Sequence, residues 1–528
     1  MKLLQRPKEI VSELFGTLSL CWQKQKETTK GAILTFVLCA VFIAAGYYCI
    51  TYEYYAIAFL PPALLVLLFV LFKFKYALLL VAFAVPLSID MQFGQSALSL
   101  PSEVLLILIT LLFLWQALFK SEYDIRILRN PVSLFLILGL SWTLVTSFFS
   151  EIPLASFKYL LSKLWFVIPC YFLCVTLVKG VSGIRMFYIA HSLSLVAVIV
   201  YSTFSLLTEG VELSTAHYVM QPFYNDHTAY GAILALWFPL SLYFSFSGRK
   251  VCPNVYYRIL FVLISLFVLL GFVLSYSRAA WLSMFGAIGV FVLVKMRMKL
   301  RTFFILAGSC ILILLVFWNS IVGLLQGNEQ DSSGNIAEHI TSMTNISTDA
   351  SNVERLNRWA CALLMFKDSP VVGLGPGTYQ FLYSGYQKSA NLTIISTDSG
   401  DLGSTHSEYL KPLSEEGFPG MLFVICLFIS TIFVGIRAYN RTEDKALANA
   451  ALFLTMSLCT YYVHALMNNF LETEKLSVPF WCMTAMTVAI DVYAKKKKTE
   501  SNSIKMDSEK KKIFSEKKKL ESSSSKSE

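Results

Sequence analysis

Apolar runs of roughly membrane-spanning length recur along this chain at 31–50, 54–72, 76–89, 97–119, 132–149, 156–178, 184–207, 228–246, 256–275, 279–295 and 301–319. After a long polar interruption three more follow, at 418–436, 446–466 and 477–493. A helix needs ~20 residues to cross a hydrocarbon core in which every backbone polar group must be satisfied internally. The run 76–89 is short and carries Pro86, which predicts a tilted, broken or re-entrant piece. Composition agrees with this pattern, since only 15% of the 528 residues are charged where a soluble domain carries charge on roughly a quarter. The chain therefore reads as an all-α, polytopic membrane helical bundle of about 12–14 transmembrane helices.

The basic residues orient the bundle. With a cytoplasmic N-terminus, alternate connections hold all but nine of the 44 Lys and Arg, the bias that the positive-inside rule demands. Five segments follow. Residues 1–30 are a cytoplasmic leader into a signal anchor, 31–319 the first set of transmembrane helices, and 320–417 a large outer loop. Residues 418–493 are the C-terminal transmembrane helices, and 494–528 a lysine-rich, disordered cytoplasmic tail.

The nine exceptions fall on the outer side. Lys158 and Lys163 either snorkel from a helix end or add to a site for an anionic or glycan ligand. Arg278, in SYSRAAWL, sits between two apolar runs with almost no loop around it, and an arginine there wants an anionic partner. In VERLNRWACALLMFKDSP the apolar residues Leu356, Trp359, Leu363 and Phe366 predict an amphipathic surface helix ending before Pro370. Arg355 and Arg358 lie near its start, where both can address one anionic group or simply be solvated. The following GLGPGTYQ places Gly373, Gly375 and Gly377 in a turn whose backbone N–H groups could approach a phosphate or sugar. QPFYNDHTAYG suits an interfacial ledge or a capped helix start, with Asn225 or Asp226 as the cap.

The stretch STHSEYLKPLSEEGFPG, Ser404 to Gly420, joins the outer loop to an apolar run. Its spacing predicts a short helix capped by Ser404 or Thr405, with His406, Tyr409, Leu410 and Leu413 on one face. Gly417 and Gly420 bracket a turn, with Pro419 in the first turn of the next helix. Cys361 is the one clear outer-loop cysteine and the histidines carry no metal-ligand spacing, so neither a disulfide framework nor a metal is expected.

Several motifs together resemble the O-antigen ligase and polymerase superfamily. They are Arg278 followed by Leu282, the arginine helix start before Trp359, DSPVVGLGPGTYQ, NDHTAYGAILALWFPL, and His406-Ser407 followed by Gly417 and Gly420. The likeness covers roughly Tyr224 to Gly420. It implies a metal-independent, cofactor-free glycosyltransferase of the GT-C type in the bacterial inner membrane. Such an enzyme moves a glycan from an undecaprenyl-diphosphate carrier to a lipid or glycan acceptor hydroxyl on the periplasmic face, with inversion and with no nucleic-acid partner. Arg278 matches the family's diphosphate-binding arginine and His406 its essential histidine. Arg355 and Arg358 both lie where the family carries a second arginine, and Arg358 is favoured for its place before Trp359. Lys158, Lys163, Gly375 and Gly377 are further candidates for contact with the diphosphate or glycan.

Three functions fit this resemblance: a ligase for lipid A-core or a similar acceptor, a repeat-unit polymerase, and a protein O-oligosaccharyltransferase. The motifs serve the shared donor and do not divide them. A transporter of the lipid-linked glycan is the non-enzyme alternative, but it would be expected to show internal repeats, and none is evident.

Overall fold

A computed structural model of the chain describes residues 60–93, 96–119, 124–296, 350–387 and 403–495, with the single positions 302, 305, 308, 309 and 396. The expected leader 1–30, the run 31–50, most of the run 301–319, the polar stretch 320–349 with His339, and the tail beyond Lys495 lie outside the described residues.

The structure is helical, as the apolar runs predict. In chain order the main elements are α1 (Leu60–Phe72), α2 (Phe74–Leu87), β1 (Ile89–Phe93), β2 (Ser96–Leu100) and α3 (Ser102–Phe119). There follow α4 (Pro131–Phe148), α5 (Pro153–Leu177), α6 (Val181–Glu209), α7 (His227–Phe246), α8 (Val255–Leu274) and α9 (Arg278–Lys295). The last four are α10 (Ala350–Asp368), α11 (Leu410–Arg441), α12 (Lys445–His464) and α13 (Glu474–Tyr493). Among the described residues, ten of these, α3 to α9 and α11 to α13, are long and apolar enough to cross a membrane, which makes the chain a multi-pass membrane protein. The short run with Pro86 forms α2 and then gives way to an antiparallel hairpin, β1 to β2, in register Ile89 with Leu100. An all-helical reading assigns this segment to the next spanning helix, because a short apolar run does not declare its period.

Contacts divide the chain into two compact units. The first comprises residues up to Leu80 together with Leu108–Tyr123, and its described part is α1, the first half of α2 and the second half of α3. The second unit holds everything else and is the one that builds the site. Within it, α7, α12 and α13 are 78–83% buried over their apolar windows and form the centre. By contrast α4, α8 and α9 are buried only to 28–33%, so most of their apolar surface faces outward, where lipid lies.

The two ends of the second unit differ in charge. At one end Arg437 pairs with Asp491 at 2.5 Å, Asn130 donates to Asp491 at 3.2 Å and Lys250 pairs with Asp444 at 2.6 Å. This is the end that carries most of the Lys and Arg of the short connections. At the opposite end the connections α4–α5, α6–α7, α8–α9 and α12–α13 meet α10 and the approach to α11, and here the candidate site lies.

Candidate functional site at the loop end of the bundle

Arg278 is fixed by a very short connection. Ser277 caps α9, its hydroxyl accepting the N–H of Ala280 at 3.4 Å, so Arg278 is the first residue of the helix. The turn before it is held tightly against α7: a side chain at Gly231 would put its Cβ 2.6 Å from Ser277 Cβ. Tyr276, two residues earlier, has φ 48°. Arg278 is half-buried.

The amphipathic helix expected after residue 350 is α10, and it ends at Asp368. Its buried face, Cys361, Ala362 and Met365, packs against Leu374, Tyr379 and Tyr383. Burial pushes the Cys361 thiol up to about 11, so it is inert packing and not a nucleophile. The two arginines of α10 have different fates. Arg358 is 4% exposed, donates from Nε to Glu354 Oε1 at 2.7 Å and from Nη1 to the Ser404 carbonyl at 3.1 Å, and lies over the Tyr383 ring at 4.8 Å. It serves as a brace that ties α10 to the segment before His406. Arg355 is half-buried and donates from Nε to the Met467 carbonyl at 3.3 Å, in the connection between α12 and α13.

His406 does not lie on a helix. It has φ 51°, and α11 begins only at Leu410. The hydroxyl of Ser407, not that of Ser404 or Thr405, takes the amide N–H groups of Tyr409 and Leu410, each at 3.3 Å. Among the described residues Tyr276 and His406 are the two non-glycine residues with positive φ, and each is within two residues of, or is itself, a candidate site residue. Such strain of about 1–3 kcal/mol is held only where surrounding structure dictates it. Here Glu408 does so. Its N–H donates to the Ala465 carbonyl at 2.9 Å, and its carboxylate accepts from Tyr461 Oη at 2.7 Å and from Leu471 N at 2.8 Å. Burial above all raises the Glu408 carboxyl to about 7. For His406, burial, followed by the positive charges of Arg355 and Arg358, lowers the imidazole to about 4, against a smaller opposing pull from Asp226 and Glu354. His406 is thus neutral at physiological pH.

Further histidines complete the cluster. Asp226 caps α7, its carboxylate accepting from Thr228 N at 2.7 Å and Ala229 N at 2.9 Å, as NDHTAYG predicts. This sets His227 at the helix start, where it stacks on His217 with ring centroids 4.2 Å apart and feels the charges of Arg355 and Arg278. His464, at the end of α12, is within the fields of Arg355 and Asp226 and meets Asn468 Nδ2 through Nε2 at 3.0 Å. Arg278, Arg355, His406, His227 and His464 therefore share one electrostatic neighbourhood built from four separate connections. Sequence reasoning missed His464, which sits inside an apolar run, and weighed His227 only among the histidines that lack metal-ligand spacing.

Gly373, Gly375 and Gly377 have φ of 70°, 115° and 74°, the left-handed turn that their pattern predicts. Their N–H groups, however, are turned inward. Gly375 donates to the Glu415 carbonyl at 2.8 Å and Gly377 to Glu415 Oε2 at 2.9 Å, while Gly373 donates to the Ser369 carbonyl at 3.0 Å. The expected contact of the Gly375 and Gly377 amides with a phosphate or glycan is corrected accordingly: the first is spent on the main-chain carbonyl of Glu415 and the second on its buried carboxylate. Lys163, expected beside the diphosphate, belongs to another group, 3.9 Å from Glu416. Lys158 is exposed on the first turns of α5.

Together these features define a multi-pass helical membrane protein with a cationic, histidine-bearing site at one end of its bundle. Residues 261–425 match the family described as O-antigen ligase, a likeness that covers under a third of the chain and supports a ligase- or polymerase-type glycosyltransferase. The matched stretch holds Arg278, Arg355, Arg358 and His406; His217, His227 and His464 fall outside it. No curated protein matches the chain.

Proposed function

We propose that this protein is a metal-independent, inverting glycosyltransferase. It takes a glycan from undecaprenyl diphosphate and joins it to an acceptor hydroxyl of lipid A-core or a similar surface acceptor, on the periplasmic face of the inner membrane. The observation that carries this reading is the convergence of Arg278, Arg355 and a neutral His406 at one end of the bundle.

Departure of a diphosphate develops negative charge as the glycosidic bond breaks. Guanidinium groups take such charge with directed hydrogen bonds. Arg278 and Arg355 fill this role, and Arg358 braces the segment that carries His406. The acceptor hydroxyl attacks the anomeric carbon from the face opposite the diphosphate, and its proton passes to the neutral imidazole of His406. Burial, with the charges of Arg355 and Arg358, keeps His406 unprotonated and makes it a weak base. A diphosphate bound at Arg355 offsets part of that charge, so the imidazole gains basicity when the donor is in place.

The test is glycan transfer in cells lacking the protein, complemented with wild type or His406→Ala, comparing carrier-linked glycan with glycan on surface lipid and on protein. Long carrier-linked chains that accumulate while surface lipid loses its polymer support ligation. Accumulated single repeat units make it a polymerase instead, and loss confined to glycoprotein makes the acceptor a protein side chain.

A further inference from the structure

A cavity lies between α4, α5 and α11, with Trp481 of α13 also in its wall and Glu408, two residues from His406, in its lining. Its lining changes character along its length. On α11, Pro412, Glu416, Gly420, Val424 and Phe428 recur every fourth residue, on either side of the break at Gly417. The lower half of that stripe, facing Leu136, Gly139 and Leu140 of α4, is apolar over ~12 Å, close to the ~15 Å of one leaflet's hydrocarbon. Half-buried Phe135, Leu140, Phe423 and Val424 leave this part open at the side.

The upper part is built from charge. Glu416 is 4% exposed; Thr143 donates to its Oε2 at 3.1 Å, while its Oε1 stands 3.9 Å from Lys163 Nζ, an ion pair without a direct hydrogen bond. Lys411, 8% exposed, is paired with Glu472. The Tyr159 ring lies 5.5 Å beneath the Lys163 ammonium and 5.2 Å from that of Lys411. Ionisable groups held this close to the hydrocarbon region are costly and mark ligand paths. Two ammonium groups stand here against the three carboxyl groups of Glu408, Glu416 and Glu472, so the mouth has no surplus positive charge. It suits neither phosphate nor diphosphate. It offers alternating donors and acceptors beside an aromatic face, the arrangement that hydroxyl groups on a ring satisfy in both directions.

We propose that this cavity is a binding site for an amphiphile with an apolar chain and an uncharged, hydroxyl-rich headgroup, such as a neutral glycolipid. The chain lies along Gly139, Phe423 and Val424, and the headgroup bridges Lys163 and Glu416. The proposal does not depend on the role given to the arginines.

The full-length protein in lipid nanodiscs is photolabelled with dodecyl maltoside bearing a diazirine on its chain, and labelled peptides are mapped by mass spectrometry. Leu138 and Ile429, on the same two helices, are each 40% exposed and report random lipid-phase labelling. Label is expected to concentrate on Leu140, Phe423 and Val424, and unlabelled dodecyl maltoside should displace it about tenfold more effectively than dodecyl phosphate, a difference of ~1.4 kcal/mol. A Cβ at Gly139 meets only Phe423 Cβ, at 3.6 Å, so Gly139→Phe is expected to fit and to remove the cavity label. Should that variant not be monodisperse, Val424→Trp fills the wall from the other side. Labelling no stronger than at Leu138 and Ile429, or equal displacement by dodecyl phosphate or dodecanol, overturns the proposal.

Discussion

Gly377 donates its main-chain N–H to Glu415 Oε2 at 2.9 Å, and Tyr379 donates to Oε1 of the same carboxylate, also at 2.9 Å. A glycine-rich turn that reads as an anion cradle thus cradles an anion of the protein's own. Its effect is to pin the end of α10 to the start of α11, and with it the segment that bears His406.

The turn is therefore predicted to matter for stability more than for chemistry. Gly375 has φ 115°, and a Cβ there would stand 2.0 Å from Ser150 Oγ and 2.9 Å from Ser150 Cα. Gly375→Ala should destabilise the protein by at least about 2 kcal/mol. The check is the apparent Tm of the purified variant, and an unchanged Tm would free the turn for a ligand.

The two arginines of α10 should separate by phenotype. Arg358→Gln leaves Glu354 buried without its counter-charge, and breaking such a pair costs about 3–5 kcal/mol. Adding Glu354→Gln should restore much of the lost stability. Arg355→Gln should fold normally and lose transfer, by about 10²-fold or more if it binds the departing diphosphate. Thermal unfolding and transfer assays on the four proteins, wild type included, decide between a brace and a ligand; a stable, inactive Arg358→Gln beside an active Arg355→Gln would reverse the assignment.

Arg278→Ala and His406→Ala are each expected to abolish detectable transfer while membrane insertion stays intact. His406→Asn is a sharper test, because asparagine tolerates the left-handed φ that His406 adopts. It should match wild type in Tm more closely than the alanine variant and still be inactive. Normal transfer by either His406 variant removes the imidazole from the mechanism.

The pH profile follows from the site's charges. The imidazole acts unprotonated, and burial together with Arg355 and Arg358 holds it at about 4, below its ordinary 6.5. The acid limb of kcat/KM should thus fall near pH 4, with activity level between 5 and 7. Replacing Arg355 with Gln removes a positive charge that opposes protonation, so the limb of any residual activity should move to higher pH. The same depression makes the neutral form the one compatible with the fold: His406's contribution is complete above 6.5 and is lost as pH falls toward 4. A wild-type limb near 6.5 would mean that the group being titrated is not in this environment.

Much of the architecture is legible from local properties. The run 279–295 becomes α9 at Arg278–Lys295, and the run 446–466 becomes α12 at Lys445–His464. Asp226 caps α7 as its neighbours suggest, and Gly417, with φ 71°, makes the expected break before Pro419. Other features are illegible for specific reasons. Segment 89–100 is too short for its period to choose strand over helix. Ser407 takes the cap expected of Ser404 or Thr405, because α11 begins only at Leu410 and its first amides lie within reach of Ser407.

By itself the sequence determined the class of protein, the ten spanning segments found among the described residues, the charge difference between the two ends and the place of Arg278 between two apolar runs. These depend on hydropathy and charge summed along the chain, and each residue contributes to them wherever its neighbours end up. Only the tertiary structure set Arg358 against Glu354 and Arg355 against the Met467 carbonyl, turned the glycine amides toward Glu415, and brought His227 and His464 into the field of Arg355. Those outcomes depend on which helix packs against which. Arg355 and Arg358 are separated by less than one turn, and the packing of α10 sends Arg358 onto Glu354 and Arg355 onto the Met467 carbonyl, while both add to the charge around His406.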